Sequence, residues 1–240
     1  IEGTDFKSLR ACISGGAPLP AELKAKFESL TGAVVIEGYG LTESSGVVSC
    51  NPYAGINKLG SIGQPIPGTD VKLLDKEDPK KPAPEGEPGE LVFAGPQVMK
   101  GYWNRADADA EVFVGKYLRT GDVATIDEDG FIFIVDRLKD MIAVGGFKVF
   151  PSQIEDVLYK HPSVKEALVI GVPDKYHGEM PRAFVTLHEN AAEDGAALMA
   201  WLNPQLGKHE RVQSVVVMDA LPKTMIGKLD RKALRAAVGV

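Results

Sequence analysis

The segment from Glu37 to Glu43 combines an aromatic ring, a hydroxyl and a carboxylate with two glycines. It follows an apolar run at residues 33–36, which predicts a buried strand, and its glycines would let the backbone approach a ligand closely. Tyr39 could stack on a flat ring, Thr42 could donate to a phosphate oxygen, and the carboxylate of Glu43 could hold a magnesium ion. On these residues alone, an ordinary strand-to-loop turn with a polar tip explains the segment equally well.

The elements around this segment predict an α/β arrangement. Residues 9–14 read as a strand that enters a tight loop at Gly15–Pro18, and residues 20–30 read as a helix with apolar residues at helical spacing. In such folds, ligands lie where loops leave the carboxyl ends of strands. We therefore expect the loops at 15–18 and 38–40 to line one crevice.

The rest of the chain predicts a small β structure followed by a small α+β domain. In the β structure we expect strands at 71–74 and 90–94, a helix at 106–113, and a hairpin formed by 122–126 and 131–135. After residue 139 we expect a hairpin at 141–149, helices at 151–160, 194–206 and 230–237, and strands at 165–172, 183–188 and 212–218.

The composition is that of an ordinary globular domain and excludes several classes of protein. Of 240 residues, 44% are hydrophobic and 25% are charged. Lys and Arg number 27 against 33 Asp and Glu, with no basic stripe, which argues against nucleic-acid binding. Cys12 and Cys50 have no partner motif, and the four histidines lack metal-ligand spacing. With no signal peptide and no long apolar run, we expect a cytoplasmic protein.

Six short motifs occur in a fixed order along the chain. They are Gly15–Pro18, Gly38–Glu43, Gly89–Leu91 with Gly101–Arg105, Arg119–Asp122, Asp136–Ile142, and Pro222–Thr224 with Gly227–Arg231. Together they resemble the adenylate-forming enzymes, which include acyl-CoA synthetases, peptide-synthetase adenylation domains and firefly luciferase. The resemblance covers essentially the whole chain. Residues 95–99 and 147–155 are most similar to bacterial long-chain fatty-acid–CoA ligases.

The resemblance implies two domains. Residues 1–137 would end the large domain, with an α/β part and a small β structure, and residues 138–240 would form the small, mobile α+β domain. The family also has a Ser/Thr/Gly-rich loop, ending in lysine, that grips the ATP triphosphate before the Gly-Gly-Ala-Pro loop. No such loop occurs in these residues. We therefore expect the chain to be the C-terminal half of a synthetase and to be inactive by itself.

The implied activity is the ATP-dependent conversion of a long-chain fatty acid to its acyl-adenylate, followed by transfer to CoA. ATP, Mg²⁺ and CoA are the implied cofactor and substrates, and no nucleic-acid partner is expected. Two alternatives stay open: an adenylation domain for amino acids or aryl acids, and a module that only binds a nucleotide. Acyl chain length, oligomeric state and peripheral membrane association also stay open.

In the large domain, the resemblance assigns a set of nucleotide-binding residues. Tyr39 and the backbone of Gly16, Ala17 and Pro18 would enclose adenine beside Gly38 and Gly40, Thr42 would contact the α-phosphate, Glu43 would hold Mg²⁺, Asp122 would accept from the ribose hydroxyls, and Arg137 would reach the ribose or phosphate. Each residue also has an ordinary interpretation. Asp122 would then be a turn aspartate, and Arg137 would form a surface ion pair with Asp136 or Asp140.

In the small domain, the resemblance implies that Lys228 stabilises charge during adenylation. Gly145, Gly146 and Phe147 would contact CoA, and Lys139 would be the hinge between the domains. The ordinary interpretations are a plain glycine turn and a solvated lysine. Two residues depart from the family pattern: Ile226 replaces a small hydroxyl residue, and Ala143 stands where luciferase-like members have lysine.

Overall fold

The computed structural model describes residues 4–16, 19, 21–225 and 227–240. The chain divides into two compact units, Ile1–Ile134 and Val135–Val240. The expected domain boundary between residues 137 and 138 stays a prediction. Within the described residues, no helix is both long and apolar enough to cross a membrane.

The first unit begins with a parallel strand–helix–strand arrangement, as predicted. Strands β1 (Ala11–Ser14) and β2 (Val34–Leu41) pair in parallel and are connected by helix α1 (Ala21–Thr31). Two further strands, β3 (Gly46–Cys50) and β4 (Gln64–Pro65), extend the sheet in the order β1-β2-β3-β4. The last two pairings are antiparallel.

A second, antiparallel sheet forms the small β structure. Its elements are β5 (Asp70–Leu74), β6 (Gly89–Ala94), α2 (Ala106–Val112), β7 (Phe113–Val114), β8 (Tyr117–Ile126) and β9 (Ile132–Arg137). The strand order is β5-β6-β8-β7, with β9 also paired to β8. Two clusters of buried residues form the core of this unit: Val48, Phe93 and Leu118, and Leu91, Ala124 and Ile132.

Within the residues that the structure describes, the second unit contains a five-stranded sheet and three α-helices. Its elements are β10 (Ile142–Val144), β11 (Phe147–Val149), α3 (Pro151–Leu158), β12 (Val164–Asp174), β13 (Gly178–Leu187), α4 (Gly195–Leu202), β14 (Ser214–Val217) and α5 (Arg231–Val238). The strand order is β11-β10-β13-β12, and β14 pairs in parallel with β13. The α/β and α+β classes expected for the two parts are confirmed.

Strand β12 supplies buried side chains to two separate clusters. Val169 belongs to the cluster that contains residues of α3 and α4, whereas Leu168 and Ile170 belong to the cluster that contains Leu234 of α5. Since successive side chains of a strand point to opposite faces, α5 packs on the face opposite α3 and α4. A strand covered on both faces explains the continuous apolar run in its sequence.

Candidate functional site

The carboxyl ends of β1 and β2 bring two of the predicted glycine segments together. Ser14 lies opposite Glu37 in the parallel register, so the turn at Gly15 leaves β1 beside Gly38. A Cβ placed on Gly15 would lie 3.3 Å from the Gly38 carbonyl oxygen. The structure therefore places Gly15 beside Gly38, and the expected crevice between the two segments stays a prediction. The predicted residues Ala17 and Pro18 lie outside the described residues.

The expectation that residues 38–40 form a loop is wrong, because β2 continues through them to Leu41. They pair with β3, and the register shifts between Tyr39 and Gly40. At this shift a Cβ on Gly40 would lie 1.8 Å from the Gly46 carbonyl oxygen. Such contact excludes any side chain at position 40, so glycine permits a strand pairing here rather than a loop.

A short 3₁₀ turn, Thr42–Ser44, follows β2 and presents the next predicted residues. Ser44 is fully buried, and its hydroxyl accepts from the Leu41 N–H at 2.9 Å and donates to the Gly46 carbonyl at 2.7 Å. Thr42 is exposed and Glu43 is half-buried. The serine thus fixes the turn, while the threonine and the carboxylate stay at the surface of the unit.

Tyr102, to which sequence reasoning assigned no role, orients the predicted metal ligand. Its hydroxyl donates to Glu43 Oε1 at 2.7 Å, and this bond, together with burial, raises the pKa of Tyr102 to about 12. The Met99 N–H donates to the Glu43 carbonyl oxygen at 2.8 Å. The segment around Gly101–Arg105 therefore lies against the Thr42–Ser44 turn. Its motif was visible in the sequence, but nothing there linked it to Glu43.

The surroundings of Glu43 fit a magnesium ion that also binds phosphate. Among the residues that the structure describes, no group of three His, Cys, Asp or Glu side chains could form a closed metal cage. Mg²⁺ is usually held by one or two carboxylates together with water and substrate phosphates. A single carboxylate, held by the Tyr102 hydroxyl, could serve as the protein ligand of such a site.

Asp122, the predicted ribose ligand, meets Tyr39 of the predicted adenine site. The Tyr39 hydroxyl donates to Asp122 Oδ2 at 2.5 Å. Asp122 is 7% exposed, and its N–H donates to the Thr120 hydroxyl, which in turn donates to the Leu91 carbonyl at 2.7 Å. The ring of Tyr39 packs against both hydrophobic clusters of the unit. Tyr39 is thus both a packing residue and a partner of the predicted ribose ligand.

Buried Glu90 connects the motif Gly89–Leu91 with the motif Arg119–Asp122. One of its carboxylate oxygens accepts from Arg119 Nε and Nη2 at 2.9 and 2.7 Å, and the other accepts from the Gly121 N–H at 3.2 Å. Glu90 is only 1% exposed. It therefore holds the segment that ends in Asp122. Glu90 and Arg119 both lie in motifs, but nothing in the sequence indicates that they pair.

In the second unit, which begins at Val135, Arg137 and Lys139 lie close to the N-terminal end. The Arg137 N–H donates to Asp136 Oδ1 at 2.6 Å, and Asp136 Oδ2 accepts from the Ser152 N–H at 2.8 Å. Asp136 therefore satisfies a backbone donor in the first turn of α3. Lys139 is the central residue of a 3₁₀ turn, Leu138–Asp140.

The predicted CoA residues lie at the turn between β10 and β11: Gly145 and Gly146 form the turn, and Phe147 begins β11. Gly145 and Gly146 have φ values of 56° and 87°, which match the turn type favoured in two-residue hairpins. The Phe147 ring stacks on the His209 ring, with centroids 3.5 Å apart and an angle of 12° between the rings. Phe147 is 53% exposed. His209 was not predicted, because it lies far along the chain in a segment without a motif.

Lys228 lies in a loop that closes on itself just before α5. The Thr224 N–H donates to the Lys228 carbonyl at 2.7 Å, and the Asp230 N–H donates to the Pro222 carbonyl at 2.9 Å. Lys223 forms an ion pair with Glu166 at 2.6 Å. Lys228 itself is exposed. Ile226, the predicted departure from the family pattern, lies outside the described residues.

Comparison with known proteins places the chain in one family. The family model described as AMP-binding enzyme matches residues 1–103, and the model described as AMP-binding enzyme C-terminal domain matches residues 153–228. A long-chain-fatty-acid–CoA ligase of Bacillus subtilis is 44% identical over 98% of this chain and 42% of its own length. A feruloyl-CoA synthase of Amycolatopsis is 42% identical over 98% of this chain and 48% of its own.

A solved structure agrees with these matches. The crystal structure of ATP-bound MatB from Rhodopseudomonas palustris superimposes with a TM-score of 0.88 and 36% identity, covering 94% of this chain and 44% of that one. The chain thus spans less than half the length of the relatives described here. From the two family models and these similarities, the chain belongs to the AMP-binding, adenylate-forming enzymes.

Proposed function

We propose that this chain supplies nucleotide-binding and catalytic residues to an ATP-dependent acyl-CoA ligase. The enzyme would join a carboxylic acid to AMP and then transfer the acyl group to CoA. The observation that carries the proposal lies in the first unit, where hydrogen bonds connect separate motifs to the strand and turn at residues 34–44. The Tyr39–Asp122 bond reaches one motif, and the Glu43–Tyr102 bond reaches another.

The first unit would supply most of the nucleotide-binding residues. The carboxylate of Asp122 suits two ribose hydroxyls, because an ionised acceptor forms stronger hydrogen bonds than a neutral one. Tyr39 and the segment Gly16–Pro18 would flank adenine, and exposed Thr42 would donate to the α-phosphate. Arg137 would reach the ribose or phosphate. The MatB structure, which contains ATP, supports a nucleotide ligand for this fold.

In the first step, the substrate carboxylate attacks the α-phosphorus of ATP, and the bond to the pyrophosphate oxygen breaks. Negative charge develops on the phosphate oxygens, so positioned cations and donors lower the barrier. Lys228 would supply the cation, and Thr42 would supply a donor. Mg²⁺, held by Glu43, would neutralise phosphate charge.

In the second step, the sulfur of CoA attacks the acyl carbon, and the bond to AMP breaks. The turn at Gly145–Gly146 offers close backbone approach to the thiol arm of CoA. The exposed, stacked rings of Phe147 and His209 offer a flat surface beside this turn. Lys139 would act as the hinge that lets one small domain serve both steps.

For the acid itself, we propose a long-chain fatty acid. The supporting observation is the 44% identity to a protein named long-chain-fatty-acid–CoA ligase. An aryl acid is the second candidate, since a feruloyl-CoA synthase is 42% identical over a similar share of the chain.

The test uses the full-length protein that contains this chain. ATP–pyrophosphate exchange and consumption of the free CoA thiol would be measured with palmitate, ferulate and a panel of amino acids. Exchange and thiol loss with palmitate alone support the proposal, and both signals with ferulate alone select the aryl acid instead. Exchange with amino acids and no thiol loss would contradict ligase activity. The 240-residue chain by itself should give only background exchange.

A further inference from the structure

The loop that carries Lys228 is fixed at its end by a buried ionic network. Arg231, the first residue of α5, donates from Nη2 to both carboxylate oxygens of Glu155 at 2.7 Å. Its Nε donates to the Val169 carbonyl at 3.3 Å. Glu155 is 9% exposed and also accepts from the Val169 N–H at 2.7 Å. The side chain of Arg231, three residues after Lys228, therefore connects this part of the chain to both α3 and β12.

The same network reaches the turn that contains Lys139. Asp140, the last residue of that turn, is 6% exposed. Its carboxylate oxygens lie 3.9 Å from Arg231 Nη1 and 3.4 Å from Arg235 Nη1. Both arginines belong to α5. One helix thus connects the residue after Lys139 with the loop before Arg231.

The geometry of the network favours a positioning role over a purely stabilising one. Buried ion pairs contribute little net stability, because desolvation of the charges offsets their attraction, but they fix geometry when fully hydrogen-bonded. Arginine donates in a planar fork, so it sets orientation as well as distance. The hydrophobic contacts of Leu221 and Leu229 already bury the base of the loop. The ionic network therefore orients a loop whose base is already held in place by hydrophobic contacts.

We propose that Arg231 is a positioning residue for Lys228, and that Asp140 joins it to the Lys139 turn, so that turn and loop move as one body. The proposal rests on the function proposed above for Lys228. It predicts that substitution of Asp140 increases amide exchange in residues 224–230, although these residues are distant from Asp140 in sequence. Arg231 acts through Lys228 and need not touch a substrate.

A hydrogen-exchange experiment tests the connection without any substrate. In the ligand-free full-length protein, Asp140→Asn should increase amide exchange in residues 224–230 about tenfold, since local openings respond to lost contacts. The matched control is Asp194→Asn, which makes the same chemical change at the N-cap of α4. It should leave residues 224–230 unchanged. If Asp140→Asn affects only residues 138–143, the turn and the loop are independent, and the proposal is wrong.

A kinetic experiment tests the role of Arg231. Arg231→Lys retains the charge but loses the fork, so adenylation should fall about tenfold, the usual cost of a charged hydrogen bond. The reaction of preformed acyl-adenylate with CoA should change less than twofold. A structural defect would lower both half-reactions together, and a melting temperature within a few degrees of wild type would exclude unfolding.

A double-mutant cycle separates this proposal from the proposed function. In a Lys228→Ala background, Arg231→Lys should have almost no further effect on adenylation, because no lysine is left to misplace. A second tenfold loss would show that Arg231 acts independently of Lys228 and would overturn the proposal. If the wild-type protein has no adenylation activity, the proposed function fails, while the exchange experiment still decides whether turn and loop are joined.

Discussion

The hydroxyl of Tyr39 donates to Oδ2 of Asp122 over 2.5 Å, although 83 residues separate them in the sequence. A neutral donor bonded to a carboxylate at this distance belongs to the stronger, charge-assisted class of hydrogen bond. This hydrogen bond connects the ring proposed to bind adenine with the carboxylate proposed to bind ribose, and it orients that carboxylate. The two halves of a nucleoside would thus be recognised by one connected pair.

Replacing Tyr39 with Phe tests this pair, because the ring stays and the donor is lost. We expect the KM for ATP to rise about tenfold, corresponding to a charged hydrogen bond of about 1.5–3 kcal/mol, while kcat changes little. Tyr39→Leu, which also removes the ring, should raise the KM further. An unchanged KM in Tyr39→Phe would mean that the hydroxyl does not help to position Asp122 for the nucleotide.

Tyr102→Phe tests the orientation of Glu43. Loss of a residue that orients a metal ligand typically weakens metal affinity about 10–100-fold, so half-maximal adenylation should require at least about tenfold more Mg²⁺. Tyr53→Phe, at an exposed tyrosine of the same unit, is the control. Equal Mg²⁺ dependence in both variants would contradict the role of Tyr102.

The Tyr102 hydroxyl should also resist deprotonation. Its pKa of about 12, raised by the bond to Glu43 and by burial, lies above the usual value of 10.0. The Tyr102–Glu43 bond should therefore persist through about pH 10, where an ordinary tyrosine is half ionised. The difference between the ultraviolet titration curves of wild type and Tyr102→Phe would report the ionisation of Tyr102. Ionisation of this residue near pH 10 would contradict the prediction.

Lys228→Ala should cripple adenylation far more than thioester formation. Removing a cation directed at developing phosphate charge should cost about 3–4 kcal/mol, or two to three decades in rate. The assay supplies preformed acyl-adenylate with CoA and compares this half-reaction with the overall rate. Lys232→Ala, at an exposed lysine four residues later, should leave both rates near wild type. Equal losses in both half-reactions of Lys228→Ala would refute the assigned role.

Lys139→Pro tests the proposed hinge. Proline fixes φ near −65° and biases Leu138 toward extended geometry. We expect pyrophosphate release to continue while most CoA ligation is lost. Lys139→Ala leaves φ free and should retain both activities. Full ligation in the proline variant would exclude Lys139 as the pivot, and an equal loss in the alanine variant would indicate a role for the side chain instead.

Glu155 should make the stability of the second unit depend on pH. Burial raises its pKa to about 7 from 4.5, and the opposing effects of Arg231 and the Val169 N–H are smaller. Above pH 7 Glu155 is ionised and pairs with Arg231, whereas between pH 4.5 and 7 the folded state holds a proton that the unfolded state has lost. The resulting stabilisation is therefore complete below about pH 4.5 and disappears as the pH rises through 7.

The measurement compares wild type with Glu155→Gln, which cannot ionise. Across this pH window, the free energy of unfolding of wild type should fall by about 3 kcal/mol relative to the variant. Chemical denaturation at a series of pH values gives both curves. Parallel curves would show that Glu155 has the same pKa in the folded and unfolded states.

Periodic patterns predicted the second unit well because its elements are amphipathic or continuously apolar. The helices at 151–158 and 231–238 and the long strand β12 appear close to their expected positions. The strand β3 was not predicted, and residues 38–40 were assigned to a loop. At residues 38–40 the glycines suggested a turn, whereas in the fold Gly40 allows two backbones to approach.

The contacts of the candidate site were harder to predict than its motifs. Glu90, Tyr102 and His209 each contact a residue that is distant in sequence: Arg119, Glu43 and Phe147, respectively. Short motifs report local residue types, but the partner of a side chain depends on strand register and loop path. A single sequence contains no direct record of either.

The 1.8 Å distance between a Cβ placed on Gly40 and the Gly46 carbonyl oxygen also determines which sequences this fold tolerates. In a saturation library, every codon other than glycine at position 40 adds an atom where backbone already lies, so selection for folded protein alone should deplete all of them. Position 39 should behave differently, since aromatic replacements for Tyr39 can fold and lose only function. For variants at positions 39 and 40, comparing the abundance of folded protein with enzyme activity would separate what the backbone requires from what the ligand requires.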